Sequence, residues 1–518
     1  MRTTVLGHPV GLAVLFVTES CERFSYYGMR AILVLYLIDH FLFKESVAFE
    51  IVASYGAMVY FMPVIGGFIA DRWLGFRKAV IFGAVLLCVG HILMAFEGTG
   101  GTVVDGEIVQ DQFALGATFL AMSFIIVGVG FLKACISNMV GLLYTDNDAK
   151  RDQGFTIFYF GINLGAMSAI LLCGYIGQAF GWGYGFGLAG ILMLIGLTVF
   201  LAGRSTLQGV GEPHDPVNLQ SSIIGIRKEW LIYAGGVVAT LFTAYLLQSR
   251  DLTRVLLYSV GLIALVGVLI YAQRTCTREQ LRRMWVMLYL IVVSVIFWGL
   301  FEQAAHSLKG FASRNLDPEF LGITFNAAQI ESLNPAFIIA FSPIFVWIWY
   351  TLGRNRIEPS RPMKFGIGII LCGVGYAMFL FGCMTANAEF QVAMIWVVLG
   401  FLFITLGELC LSPVGLSMIT RYSPVEMVGV MMGIWFLASS VASLFGGQLA
   451  QIAAIDEELG TTIPAVESLA VYENAFGIFT GLGISVGVLV ALSALWLKRY
   501  LGEDEEPKTP EPQASVAA

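Results

Sequence analysis

The chain has 518 residues, 58% apolar and 13% charged, with a formal net charge of −7. A water-soluble chain of this length carries about twice that charge density in several domains, so a soluble protein is excluded; no nucleic-acid partner is expected. Apolar stretches of about twenty residues recur from end to end, each long enough to cross a bilayer core of ~30 Å, which predicts an all-α polytopic membrane protein.

In chain order the spans read as roughly 10–38, 47–70, 78–97, 112–143, 153–179, 183–203, 229–248, 252–272, 284–308, 325–352, 364–385, 391–419, 425–453 and 473–498, fourteen in all. The opening "MRTTVLGHPVGLAVLFVTES" has no small-residue cleavage site before its polar cluster and reads as the first span, not a removed signal. That span contains "ESCERFSYYGMR" at 19–30. At about 100° per residue, Glu19, Glu22, Arg23, Tyr26, Tyr27 and Arg30 fall on one stripe ~140° wide. Such a stripe must face protein or water and not lipid. Glu19 and Arg23, four apart, are placed to pair. The cluster is either an ion-pair lock between helices or a carboxylate that exchanges a proton beside a tuning arginine.

Three further charges lie deep in later spans: Lys133 in the fourth, Glu302 in the ninth and Glu408 in the twelfth. Isolated charges in lipid are costly, so these are expected to pair across helices, and pairs that break and reform make natural gates. A solute carrying both an amine and a carboxylate could compete for the same partners. The second and tenth spans each end with a Pro, a Gly and a basic loop, and Lys133 and Glu408 occupy corresponding places, which suggests a weak duplication with a site between the halves. The expected organisation is a bundle over 1–204, a linker with two extra spans over 205–283, a second bundle over 284–500 and a disordered acidic tail over 501–518. Segment 204–228 is too short to fold as a signalling domain, which argues against a membrane-embedded sensor or receptor.

With both termini cytoplasmic, 21 of the 29 Lys and Arg residues fall in cytoplasmic segments and five in outside loops (Lys44, Arg250, Arg254, Lys309 and Arg314), a bias that orients the chain. Seven of eight cysteines lie inside spans, and the five histidines are too scattered for a metal site. No strand is expected. His306 is expected near the outside surface.

The motifs resemble one family. "GGFIADRWLGFRK" is similar to the loop signature of major facilitator transporters through Gly67, Asp71, Arg72, Gly75 and Arg77. "ESCERFSYYGMR", "FTIFYFGINLGA", "SLNPAFIIAFSP" and "LGELCLSPVGLSM" resemble signatures of the proton-dependent oligopeptide transporters, in order along the chain. The resemblance implies a major facilitator fold of two six-helix bundles with two extra linker helices. It also implies proton-driven import of di- and tripeptides across a bacterial inner membrane, with protons as the coupling ion, no other cofactor and no metal. Glu19, Glu22, Arg23 and Glu302 are then the proton-coupling residues. Arg30 and Lys133 would face the peptide carboxylate, and Glu408 with Asn334 its amino terminus, in a cavity lined by Tyr26, Tyr27, Tyr60, Asn163, Trp435 and Ser439. Arg30–Glu302 and Lys133–Glu408 would be the outside and inside gates, and Asp71 and Arg72 part of a conformational latch. Bland alternatives stand beside these roles: packing for Tyr60 and Trp435, a helix–helix hydrogen bond for Asn163, and kink capping for Asn334. Plant relatives move nitrate, but an anion carrier has no need of an amine-binding acid. Animal relatives place a His where this chain has Ala53, which leaves carboxylates as the proton carriers.

Overall fold

The computed structural model describes residues 4–5, 7–145, 150–457 and 463–501; the tail from residue 502 onward lies outside them. Sixteen helices are present among these residues: α1 Val10–Leu35, α2 Glu45–Ile69, α3 Phe76–Met94, α4 Gln112–Leu142, α5 Arg151–Phe180, α6 Trp182–Gly203, α7 Pro216–Gln220, α8 Lys228–Gln248, α9 Arg250–Thr275, α10 Arg278–Phe301, α11 Ser307–Asn315, α12 Leu333–Arg354, α13 Arg361–Met384, α14 Met394–Tyr422, α15 Val428–Ala450 and α16 Ala465–Leu497. Thirteen helical segments are long and apolar enough to span a membrane, and α1 is a fourteenth whose apolar run is interrupted by Glu19, Glu22, Arg23 and Arg30.

Local chemistry sets several of these ends. Asp111 caps α4 by accepting from the Phe113 and Ala114 amides. Thr277 and Gln280 form a reciprocal capping box at the start of α10. Gly75 adopts φ +79° between α2 and α3, and a Cβ there would lie 2.5 Å from the Pro213 nitrogen, so that turn needs glycine on both counts.

The apolar interior divides into two main cores. One is built chiefly from α1–α6, the other from α10–α16. Between them in sequence, α8 packs on α4 while α9 packs on α15 and α2, so the extra hairpin touches both bundles. The bundles meet closely along α2 and α15. A Cβ on Gly56 would fall 2.4 Å from Ser443 Oγ, and one on Gly447 would fall 2.3 Å from the Cβ of Ala53.

Two expectations change. The ninth span is not one helix: α10 stops at Phe301, residues Glu302–Ala305 form a 3₁₀ turn, His306 takes φ −123° and ψ −105°, and α11 continues to Asn315. The chain is also not free of strands, since five two-stranded ribbons occupy loops, the longest pairing Gly101–Val104 with Glu107–Gln110. Each is too short to build a sheet core, so the all-α class stands.

Candidate functional site: a charged cavity between two bundles

Fourteen crossings put both described ends on one face, here the terminal face; the opposite face is the distal face. The α1 stripe turns inward as its spacing predicts. Glu19, Glu22 and Arg23 are buried, with Arg23 Nε 3.2 Å from Glu19 Oε1, its guanidinium also paired with Glu22, and its carbon 5.6 Å from the Tyr26 ring centre. Glu19 Oε2 and Glu22 Oε1 are buried without a hydrogen-bond partner among the described residues. A free oxygen on each of two adjacent buried acids gives a proton somewhere to bind.

Two turns on, Arg30 leaves this cluster and crosses to the other bundle. Its Nη2 lies 3.2 Å from Glu302 Oε2, and its Nε lies 3.4 Å from Glu331 Oε1. Glu302 sits at the break between α10 and α11. Gln303 makes that break tolerable: its amide donates to the carbonyls of Gly299 and Gly446, at 3.0 and 2.8 Å. His306 Nδ1 closes on the Glu302 carbonyl at 2.7 Å, and His306 is fully buried, which corrects its expected place near the surface.

In the second bundle Asn334 donates to Glu408 Oε2 at 2.9 Å and to Thr405 Oγ1 at 3.1 Å, so it joins α12 to α14 and orients the acid. Glu408 lies within electrostatic range of Tyr27 and Tyr159 of the first bundle. Lys133, half-buried on α4, stands 4.6 Å from the centre of the Tyr60 ring. The expected Lys133–Glu408 ion pair is not formed: one charge rests on an aromatic face and the other on an amide. The reason is the conformation. Every hydrogen bond and ion pair between the two bundles among the described residues lies in the distal half. They include Arg30 with Glu302, Ser46 Oγ with Asp456 at 2.6 Å, the Gln451 amide with the Ser46 carbonyl at 2.8 Å, and Glu45 with Arg314. The distal side is shut, and among the described residues Lys133 and Glu408 are left to Tyr60 and Asn334 in their own bundles.

The remaining site residues fall in several settings. Tyr26 is buried and meets Tyr27 edge-on at 5.1 Å. Asn163 is buried and donates to the Tyr159 carbonyl in its own helix at 3.0 Å. Trp435 packs against Gly415, where a Cβ would lie 2.2 Å from the indole, and Ser439 donates to the Trp435 carbonyl. In the latch, Arg77 pairs with Glu212 and its amide donates to the Gly211 carbonyl, Gly67 faces Ala134, and Asp71 and Arg72 are exposed without an ion pair among the described residues.

Sequence reasoning missed three buried charges, Glu45, Lys309 and Glu331, and the half-buried Arg314 beside them. Lys309 and Arg314 read as outside-loop cations, yet Lys309 is fully buried against Glu331 at 3.1 Å and Arg314 joins Glu45, Glu457 and Tyr472. Extending the ninth span past the break would have found both.

A family model described as the POT family matches residues 77–466. An uncharacterized transporter, YclF, of Bacillus subtilis is 37% identical over 86% of this chain and 88% of its own length. A di-/tripeptide transporter of Lactococcus lactis subsp. lactis is 32% identical over 96% and 98%. The crystal structure of a peptide transporter POT in complex with sulfate superposes with a TM-score of 0.80 at 34% identity, covering 96% of this chain and 97% of that one.

Proposed function

The chain belongs to the POT family and has its major facilitator fold, and from that premise we propose that it is a proton-coupled symporter importing di- and tripeptides by alternating access. It is a transporter and not an enzyme. The observation that carries the substrate reading is a division of charge: the cations Arg30 and Lys133 stand on the first bundle, and Glu408 with Asn334 stands on the second, without the Lys133–Glu408 pair that would cancel them. A zwitterion bridging the bundles supplies both missing partners. An anion carrier has no use for the oriented acid.

The terminal face is cytoplasmic on this reading, because the sequence assigns 21 basic residues to segments on that side against five to the other; the membrane is a bacterial inner membrane, and protons are the coupling ion. The distal side, closed by Arg30–Glu302 and the Glu45–Arg314 group, is then the periplasmic gate. Peptide release to the cytoplasm lets Lys133 and Glu408 close the inner side. Protonation among Glu302, Glu19 and Glu22 loosens the outer one, and Asp71 and Arg72 engage when the cytoplasmic ends come together.

The test is uptake of labelled dialanine into proteoliposomes with an inward proton gradient, with and without uncoupler, for wild type and Glu22→Gln. Wild type accumulates peptide and loses it on uncoupling; the variant exchanges peptide across the membrane but does not accumulate it. Absence of gradient-dependent uptake of dialanine and other short peptides would overturn the assignment.

A further inference from the structure

Arg30 is held in the closed distal gate by two carboxylates on different edges of its guanidinium, with Glu302 at the Nη end and Glu331 at Nε. The two acids are supported differently. Glu302 rides on the helix break. Glu331 sits on the 3₁₀ turn Gln329–Ser332, with its second oxygen 3.1 Å from Lys309 Nζ, and Lys309 also donates to the Ala328 carbonyl at 3.0 Å. A fully buried ammonium needs a close counter-ion, and Glu331 is the one Lys309 has among the described residues. Lys309 therefore ties the turn to its own bundle. The same stretch grips the other bundle twice more: the Asn326 amide donates to the Gly174 carbonyl and the Gln329 amide to the Leu171 carbonyl, each at 3.0 Å.

We propose that Glu331 is a positioning residue for the gate: it keeps Arg30 docked on the second bundle when Glu302 has been neutralised, and Lys309 holds it in place to do so. The proposal rests on the reading of Arg30–Glu302 as a gate but not on the identity of the substrate. Neutralising Glu302 removes one of the two carboxylates, so the distal side opens fully when Arg30 leaves Glu331 as well. The turn 329–332 is then the part of the second bundle that sets how firmly the gate stays shut.

The experiment measures the distance between spin labels on exposed distal positions of the two bundles, at Lys44→Cys and Leu321→Cys in a Cys276→Ser background, in the full chain reconstituted in nanodiscs without substrate. Glu302→Gln is expected to stay mostly closed. Glu331→Gln, which removes an ion contact at 3.4 Å that is not a hydrogen bond, is expected to raise the distal-open fraction roughly tenfold, about 1.4 kcal/mol, and adding Glu302→Gln to raise it further. The double variant Lys309→Met with Glu331→Gln is expected to open like Glu331→Gln alone, because Arg30 still lacks its second carboxylate; a merely structural ion pair would instead be relieved by removing both charges. Glu331→Asp, which keeps a counter-ion for Lys309 but withdraws it from Arg30, gives partial opening and covers the case in which the Gln variant does not fold. A closed distance in the double variant, or full opening by Glu302→Gln alone, overturns the proposal. Dialanine uptake by the same variants in proteoliposomes separates this outcome from failure of the peptide reading.

Discussion

At the scale of single residues, charge placement decides most of what this molecule can do. Four charges within twelve residues of α1 are tolerated because their stripe faces the cavity and each finds a partner within reach. Outside the membrane, Asp111 shows the same economy in water. Its carboxylate is held below its ordinary range by the backbone amides of Ala114, Thr99 and Phe113 and by the Thr99 hydroxyl. A depressed value means the cap stabilises the fold above the ordinary carboxylate range and loses that contribution as pH falls through its own lower value. Thermal unfolding of Asp111→Ala should therefore show the same small drop in Tm at pH 7 and at pH 6. A loss of transport between those two values belongs to other groups. The residue scale was also the most legible in sequence, since helical spacing alone put Glu19, Glu22, Arg23 and Arg30 on one face. What it could not show was partner choice across bundles, which is why Glu331 went unread as the second acid on Arg30 and Lys133 was paired with Glu408.

Among the elements, the break between α10 and α11 is the feature that spacing does not encode. The stretch "EQAAH" has no proline or glycine, and its apolar flanks read as one continuous span. The break holds because Gln303, fully buried, returns hydrogen bonds to two carbonyls on different helices. Gln303→Leu keeps the volume but leaves both carbonyls unsatisfied, and a loss of roughly 1–3 kcal/mol is expected. The check is thermal unfolding in detergent compared with Gln303→Glu, which keeps the acceptor to Ser307 but not the donor, and should lose a similar amount. The fourteen spans themselves were readable from hydropathy, because length and apolar content suffice for that. The ribbons were not, since strands of two to four residues leave no periodic signal.

For the whole molecule, two bundles shut on the distal side and joined by a hairpin that touches both make a machine with one closed gate in this conformation. Its working limit follows from the driving force. One positive charge moving down about 150 mV gains roughly 3.5 kcal/mol at about 2.3 kcal/mol per 100 mV. That supports accumulation on the order of 300-fold at 1.4 kcal/mol per decade. The steady-state ratio of labelled dialanine in vesicles at a clamped potential measures this directly. A ratio well above that figure would require a second proton per cycle. Arg250 lies 3.0 Å and Arg254 3.8 Å from Glu50, and the Tyr258 hydroxyl donates to Gln448 at 3.0 Å. The hairpin is therefore seated on the moving seam and is more than a tether, a role its uninterrupted hydropathy concealed.

That seam also narrows the routes by which this chain could change. Ala53 already faces a glycine on the opposing helix, and Ser443 donates to the Ala53 carbonyl at 3.3 Å. An imidazole at position 53 has no smaller residue left to displace. On the proton-coupled reading proposed above, a histidine there would have to seat against α15 at its closest approach to α2, so the packing of this seam favours carboxylates as the proton carriers.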